Sequence, residues 1–300
     1  MAIHVVCVNF NSAAHLRECI ASLNASTVTP DLIHVLDNGS PDPSEIECLR
    51  DIAALYSNVR LTFSHQNSGF GAGVNKAIAS AKPEKSDYVW ILNPDVVVNR
   101  TTLETLVRGM NAEPEAILSP VISTGLAGEI TWFSGGELDV RRGVSQHSHD
   151  RPLVTEQWRK ATFLTGAAMF LRGDTWEKLG GFREDLFLYW EDADLSRRAS
   201  TLDIPLYVLP NTLVWHQVGG SSSADTKSVL WYYYITRNRI VVCASSAFDG
   251  LLLVGIRGIN STAHHIYRAI REEGPTLRRI AAMGKGVCDG MRILRRRRRS

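Results

Sequence analysis

Four short apolar runs, each followed by a helical pattern, fill the first 120 residues and restrict the fold more than any other feature of the chain. The runs are IHVVCVNF, LIHVLDN, VRLTFS and DYVWILN. They are apolar almost without interruption, whereas a strand with one face in water alternates apolar and polar residues. Helices must therefore cover both faces of the sheet. The pattern predicts a doubly wound, mostly parallel α/β fold.

The pattern changes after about residue 120. The Gly-rich stretch GEITWFSGGELDVRRG predicts a hairpin, and the polar stretch SQHSHDRPLVTEQW predicts a mobile loop. Further on, ATFLTGAAMFLRGDTWEKLGGF predicts a strand that leads into a short helix, and WEDADLSRRAS predicts another helix. From about residue 222 we expect helices to the end of the chain.

Composition restricts the class of protein. Of the 300 residues, 44% are hydrophobic and 21% are charged, which suits a globular chain. The five cysteines form no C-x-x-C pair, so we expect reduced thiols rather than a zinc or redox site. The chain opens on a strand instead of a signal-like leader, and the run LLLVGI is far shorter than the roughly 20 residues that span a bilayer. A cytoplasmic protein is predicted.

Polar residues follow the end of each of the four strands. They are Asn9 and Asn11, then Asp37 to Ser40, then Gln66 to Gly69, and finally Asn93 to Asp95. Any one such group is commonly a turn or a helix cap. Ligands of doubly wound sheets collect beyond the carboxyl ends of the strands, so four groups together predict a ligand site.

The third of these groups continues into a glycine-rich helix start, NSGFGAGVN. Backbone N–H groups at Gly69, Gly71 and Gly73 could approach a phosphate closely. The spacing G-x-G-x-G after a third strand does not match the dinucleotide fingerprint. Tight packing of a helix on the sheet is the alternative explanation.

Two further residues are candidates for a metal site. Asp95 follows Pro94, which ends strand pairing, and a single carboxylate there suits a divalent cation that takes other oxygens from a diphosphate. Asn93 could add a neutral oxygen, and an ordinary turn is the alternative. His216, in VWHQVGG, is either a structural residue or a metal ligand.

Three acids, Glu191, Asp192 and Asp194, begin the predicted helix WEDADLSRRAS. Acidic residues are common in the first turn because they interact favourably with the helix dipole. Glu191 and Asp192, however, follow the apolar-aromatic run LFLYW, and such surroundings raise the pKa of a carboxyl toward that of a general base. We therefore expect one of the pair to face solvent or substrate.

In this order the motifs resemble those of the family 2 inverting glycosyltransferases of the GT-A fold, and most of all the bacterial rhamnosyltransferase branch. The motifs are VNFNSAAHLRECIASL, VLDNGSPD, NSGFGAGVNKAI, WILNPDVVV, the segment from FLTGAAMF to EDADLSRRAS, WHQVGG and YYYITRNRI. The resemblance covers roughly residues 3–240.

The resemblance implies a donor site. Asp37 would contact the base or ribose of the nucleotide, and Asn67, Gly69 and Asn75 would lie beside the donor. The strand-end residues Asn9 and Asn93 are further donor-binding candidates.

The resemblance also implies a metal and a catalytic base. Asp95 would bind Mg²⁺ or Mn²⁺, with Asn93 in place of the first acid of the family's D-x-D motif, which leaves strict metal dependence open. His216 would complete the metal shell. Asp192 would be the catalytic base, and Glu191 would support it or contact the acceptor.

The implied reaction moves rhamnose or another deoxyhexose from a dTDP- or UDP-linked donor to a hydroxyl of a cell-surface glycan or polyprenyl-linked precursor. We expect a catalytic domain at 1–220, with a nucleotide-sugar half at 1–120 and an acceptor half at 121–220, followed by a helical region at 221–300. A sugar nucleotidyltransferase is an alternative, but VNFNSAAHL lacks the basic glycine-rich loop that it needs near the N-terminus.

The C-terminal end is strongly basic. Residues 251–300 hold 12 Lys/Arg and 3 Asp/Glu, whereas residues 1–250 hold 21 and 28. The five consecutive arginines at 295–299 could rest on anionic lipid at the inner face of the membrane. The alternatives are a basic-tailed nucleic-acid-binding protein, whose binding would depend steeply on salt, and a solvated tail without a partner. Of these partners, nucleic acid is not expected.

Overall fold

The computed structural model describes residues 1–126, 128–153, 155, 157–217 and 227–297. Its first half contains β1 (Ile3–Asn9), α1 (Ala13–Asn24), β2 (Leu32–Asp37), α2 (Pro43–Leu55), β3 (Val59–Phe63), α3 (Phe70–Ala81), β4 (Tyr88–Leu92), β5 (Val96–Val98) and α4 (Thr102–Ala112). The middle contains β6 (Ile117–Thr124), β7 (Ile130–Phe133), β8 (Gly136–Asp139), β9 (Val144–His147), β10 (Arg159–Ala161), β11 (Ala168–Arg172), α5 (Gly173–Leu179), α6 (Glu191–Thr201) and β12 (Leu206–His216). The C-terminal part contains α7 (Val229–Cys243), α8 (Ala247–Leu252), a π-helical turn (Leu253–Arg257), α9 (Ile259–Arg271) and α10 (Thr276–Arg297).

The four predicted strands form a parallel half-sheet in the order β4-β1-β2-β3. The chain moves outward from β1 to β3 and then returns across the sheet to β4. Since parallel crossovers are right-handed, α1 and α2 cover one face and α3 covers the other. Every residue of β1 and β4 is accordingly buried. The doubly wound arrangement predicted from the apolar runs is confirmed.

The other half of the sheet is mixed. Its order is β10-β12-β6-β11-β4, with β11 antiparallel to β4 and β12 parallel to β6. The short strand β5 pairs antiparallel with the end of β12 and places His216 beside Val96. The predicted strand and helix of the FLTGAAMF segment are confirmed as β11 and α5.

Two elements differ from the sequence-based expectation. The stretch predicted as a mobile loop begins with β9, which pairs with β8, and His147 of β9 stacks on Phe163 and packs against Trp132. The long strand β12 was not predicted. Its central Pro210-Asn211 has the composition of a turn, and the pairing register indeed shifts between Leu209 and Leu213.

The C-terminal helices share the main hydrophobic core with the sheet. Ile240 and Val241 of α7 and Leu294 of α10 are buried in it. Helices were predicted here from about residue 222, and the described part from Val229 to Arg297 confirms them. Within the described residues, none of the helices combines the length and apolar character needed to cross a bilayer.

Candidate active site

The end of β2 presents Asp37 in a buried turn. Its side chain is 2% exposed. One carboxylate oxygen accepts hydrogen bonds from Asn9 Nδ2 at 3.0 Å and Ser40 Oγ at 2.6 Å, and the other accepts from the amides of Gly39 and Ser40. A carboxylate accepts about four hydrogen bonds, so all of its capacity is used inside the protein. A ligand would reach Asp37 only by displacing one of these donors.

Asn38, for which no separate role was predicted, connects this turn to the glycine-rich loop. Its Nδ2 donates to Asn67 Oδ1 at 3.1 Å and to the Gly69 carbonyl at 3.0 Å. Asn67 Oδ1 also accepts from the Gly69 amide at 2.9 Å. The predicted donor-binding residues Asn67 and Gly69 therefore lie together at the carboxyl edge of the sheet. The signal for Asn38 was its place directly after Asp37.

The glycines of this loop are explained by close packing. Gly69 has a φ of 89°, and a Cβ there would lie 2.1 Å from the Phe187 carbonyl oxygen. A Cβ at Gly71 would meet the Phe182 side chain at 2.9 Å, and one at Gly73 would meet Val8 at 2.9 Å. These contacts favour packing, the alternative considered for the glycine pattern.

Asn75 lies on α3 and faces the turn after α5. Its amide donates to the Phe182 carbonyl at 2.8 Å and to Glu184 at 3.0 Å, and its Oδ1 accepts from the Phe182 amide. Both ends of the side chain are thus engaged by the protein. We expect Asn75 to hold the turn in place, which differs from the donor contact that the family resemblance implied.

Asp95 and His216 lie side by side, although they are far apart in sequence. Asp95 Oδ1 is 3.0 Å from His216 Nε2, and the Gln217 amide donates to the Asp95 carbonyl at 2.8 Å. The antiparallel pairing of β5 with β12 creates this arrangement. His216 Nδ1 is buried and has no hydrogen-bond partner among the described residues. The rest of the motif VWHQVGG, residues 218–220, lies outside the described residues.

Hydrogen bonds connect this pair to the acidic motif. The backbone amide of Asn93 donates to the Ala167 carbonyl at 2.9 Å. The neighbouring Gly166 amide donates to Asp192 Oδ2 at 3.1 Å. Two consecutive residues before β11 thus contact the end of β4 and the start of α6, which brings Asp95 and Asp192 to the same edge of the sheet.

The two acids Glu191 and Asp192 have different environments. Glu191 is 7% exposed, and its Oε2 has no hydrogen-bond partner among the described residues. Burial and the adjacent Asp192 charge raise its pKa well above the ordinary range. Asp192 is half-buried, and its carboxylate accepts hydrogen bonds from the backbone amides of Gly166 and Ala193. Burial raises the pKa of Asp192 as well, although its backbone hydrogen bonds act in the opposite direction.

Asp194, the third acid of the motif, is structural. Its side chain is fully buried and pairs with Arg183, Arg197 and Arg198 at 3.4, 3.2 and 2.7 Å. Arg198 also donates to the carbonyls of Leu179 and Gly181. The cluster therefore fixes α6 against the end of α5.

A strained segment leads into the acidic motif. Phe187, Tyr189 and Trp190 have φ values of 66°, 66° and 72°, which are uncommon for large side chains. Asn238 of α7 is fully buried, and its Nδ2 lies 2.8 Å from each of the carbonyls of Leu186, Leu188 and Tyr189. Asn238 belongs to the motif YYYITRNRI, for which no role was predicted from the sequence.

Comparisons with known proteins identify the family of the chain. A profile described as glycosyl transferase family 2 matches residues 4–193. N-acetylglucosaminyl-diphospho-decaprenol L-rhamnosyltransferase of Mycobacterium tuberculosis (strain ATCC 25618 / H37Rv) is 27% identical in an alignment 249 residues long, and the match covers 75% of this chain and 79% of that protein. Rhamnosyltransferase WbbL of Escherichia coli (strain K12) is 22% identical in an alignment 257 residues long, and the match covers 80% of this chain and 94% of the relative.

Solved structures show the same fold at low identity. GalNAc-T7, crystallised with UDP, GalNAc and Mn²⁺, matches with a TM-score of 0.67 and 14% identity over 98% of this chain and 56% of its own. Mannosyltransferase PcManGT of Pyrobaculum calidifontis, in complex with GDP-Man and Mn²⁺, has a TM-score of 0.59 and 14% identity over 98% of this chain and 86% of its own. The fold is that of the GT-A enzymes, as predicted. The chain belongs to glycosyl transferase family 2, and it is a glycosyltransferase close to the bacterial rhamnosyltransferases.

Proposed function

We propose that this glycosyltransferase moves rhamnose or another deoxyhexose from a dTDP- or UDP-linked donor to a hydroxyl of a polyprenyl-linked precursor of a cell-surface polysaccharide. One observation carries the proposal: Asp95, His216 and Asp192 are brought to one edge of the sheet by the contacts of Asn93 and Gly166. The names of the relatives, which specify rhamnose and a decaprenol-linked acceptor, support the choice of sugar and acceptor.

A divalent cation, Mg²⁺ or Mn²⁺, is proposed to bind at Asp95 and His216. In the part of the chain that the structure describes, no group of three or more His, Cys, Asp or Glu residues could hold a metal. Two adjacent protein donors, Asp95 Oδ1 and His216 Nε2, fit a cation that takes its other ligands from a diphosphate and water. Bound there, the cation would neutralise charge on the departing diphosphate.

Asp192 is proposed to act as the catalytic base. It would take the proton of the acceptor hydroxyl as that oxygen bonds to the anomeric carbon and the bond to the diphosphate breaks. A single displacement inverts the anomeric centre and needs no covalent enzyme intermediate. The raised pKa of Asp192 makes it a stronger base than an ordinary aspartate, and hydrogen bonds from the backbone amides of Gly166 and Ala193 hold its carboxylate in place. Glu191, which is buried beside it, would support Asp192 or contact the acceptor.

We also propose the domain arrangement expected from the sequence, with the donor bound by residues 1–120, catalysis supplied by 121–220 and a helical region at 221–300. The donor side would be lined by Asn67 and Gly69, and Asp37, held by Asn9, would reach the donor only by displacing one of its internal hydrogen bonds. We place the enzyme at the inner face of the cell membrane, where the arginines at 295–299 would meet lipid headgroups. Arg298 and Arg299 lie outside the described residues.

A thermal-shift panel tests the proposed donor and metal. The purified chain is heated with nucleoside diphosphates, dTDP-rhamnose or UDP-sugars, each with Mn²⁺, with Mg²⁺ or with EDTA. A ligand at 100 times its Kd stabilises the folded state by about 2.7 kcal/mol. We expect dTDP- or UDP-linked ligands to raise Tm with metal and to do so less with EDTA. A shift only with other nucleotides would contradict the proposed donor, and shifts that are identical with EDTA would contradict the metal site.

A further inference from the structure

Helix α9 exposes its apolar side to solvent. Large or small apolar residues recur at intervals of three and four, which places them on one side of the helix. This stripe, which we call the α9 apolar stripe, consists of Ile259, Ala263, Ile266, Tyr267 and Ile270. All five are exposed, with Ile259, Tyr267 and Ile270 more than half exposed at 55%, 59% and 58%.

The side of α9 next to the stripe holds the helix on the protein. Ala269 is fully buried and belongs to a small core formed with Tyr232 and Met283. The hydroxyl of Thr262 accepts a hydrogen bond from Arg239 and donates to the Val254 carbonyl. A surface helix ordinarily buries its apolar stripe and exposes its polar side. In α9 only the edge of the apolar side at Ala269 is buried, so the stripe is free to meet another surface.

The apolar surface extends onto α10. A cavity of about 220 Å³ between the two helices is lined by residues that include Ile266, Ile280 and Met283. Along α10 the exposed residues Leu277, Ala281 and Cys288 share one side of the helix, and Leu277 is 83% exposed. On the N-terminal side, Ile256 of the π-helical turn is 72% exposed.

Positive charge borders this surface. The Arg271 guanidinium lies 5.7 Å from the ring of Tyr267 in the stripe. Arg278 is exposed at the start of α10, and the side of α10 that carries Leu277 continues with the exposed Arg292 and Arg295. An apolar stripe flanked by arginines matches the boundary between anionic headgroups and acyl chains.

We propose that the α9 apolar stripe and the adjoining side of α10 lie on an anionic lipid bilayer, with the apolar side chains at the acyl boundary and the arginines at the phosphates. A second copy of the chain is a poorer partner, because a symmetric contact would bring two sets of arginines together. The inference rests on the proposed function, since that function needs a lipid-linked acceptor at the bilayer.

Vesicle sedimentation tests the inference with the full chain. The vesicles consist of phosphatidylcholine alone or of phosphatidylcholine with phosphatidylglycerol. The variant Ile259→Ser/Ile270→Ser removes two exposed residues of the stripe. Leu55→Ser is the matched control, because Leu55 is 66% exposed on the distant helix α2. We expect the wild type and the control to bind the anionic vesicles, and the double variant to bind at least roughly tenfold more weakly.

Three results would overturn the proposal. The first is that the wild type does not bind anionic vesicles. The second is that the double variant binds them as strongly as the wild type. The third is that, without lipid, the wild type is a dimer and the double variant is a monomer. Donor binding by thermal shift is measured on the same variants. If the vesicle results contradict the proposal but donors still raise Tm, only the lipid contact is refuted. If the chain binds anionic vesicles but donors do not raise Tm, the proposed function is refuted instead.

Discussion

Replacing Asn238 by alanine should disturb catalysis although Asn238 lies outside the acidic motif. Its Nδ2 is 2.8 Å from each of the carbonyls of Leu186, Leu188 and Tyr189. These carbonyls belong to the segment in which Tyr189 and Trp190 have φ values of 66° and 72°. Each such left-handed residue costs about 1–3 kcal/mol and persists only where its surroundings hold it. Asn238 supplies that support.

The magnitude follows from the bonds lost. Asn238→Ala removes two buried N–H donors worth about 1 kcal/mol each and leaves carbonyls that it had satisfied without a partner. We expect the free energy of unfolding to fall by about 2–3 kcal/mol. Since the segment places Glu191 and Asp192, we also expect kcat to fall by roughly tenfold or more, because small misplacements of catalytic groups are costly. The KM for the donor should change little.

Guanidinium denaturation and steady-state kinetics of released nucleoside diphosphate measure both effects. Asn211→Ala, at an exposed asparagine of β12, is the matched control and should change neither. Asn238→Asp should be worse than alanine, because a carboxylate would face the same carbonyls. If Asn238→Ala lost stability but kept the wild-type kcat, the proposed positioning of the acidic motif would be wrong.

Three further predictions concern the acids. Because the pKa of Glu191 is raised in the folded state, its protonated carboxyl contributes stability that is full below the ordinary carboxyl pKa and is lost as pH rises through the raised pKa. Glu191→Gln should therefore gain stability relative to the wild type as pH increases. A constant difference in pH-dependent denaturation would contradict this. Asp194→Asn leaves three partly exposed arginines without their buried partner and should cost about 2–3 kcal/mol in chemical denaturation; an unchanged midpoint would refute the structural role. Asp95→Ala, and to a lesser degree His216→Ala, should abolish the difference that EDTA makes to the donor-induced Tm shift; a difference as large as in the wild type would exclude the pair as metal ligands.

The parallel half of the fold could be predicted because its information is local. The strands β1 and β4 are continuous apolar runs that are buried throughout, and α2 has a local start signal in Asp42, which caps the helix before Pro43. The strand β12 could not be predicted in this way. Its central proline and bulge resemble a turn, and its pairing with β5 and β6 depends on contacts distant in sequence.

The candidate site shows the same division. Strand-end position was enough to select Asp37, Asp95 and the Asn67-Gly69 loop. It did not reveal that donors within the protein use all the acceptor capacity of Asp37, or that the Asn75 side chain is hydrogen-bonded to the Phe182 backbone. Both features depend on tertiary hydrogen bonds. Pairing of Asp95 with His216 was inferred from the family resemblance alone, and the 3.0 Å contact between them is the structural support for that inference.

The assignment of Asp192 as the base is the central claim, and Asp192→Asn tests it most directly. The amide preserves the size of the side chain but cannot take the proton of the acceptor hydroxyl. Donor-induced thermal shift and transfer of sugar to a polyprenyl-linked acceptor are measured on this variant and on Asp51→Asn, an exposed control on α2. We predict a wild-type thermal shift with transfer reduced by roughly 10²–10⁴-fold in Asp192→Asn, and no change in the control. Transfer by Asp192→Asn at the wild-type rate would contradict the assignment.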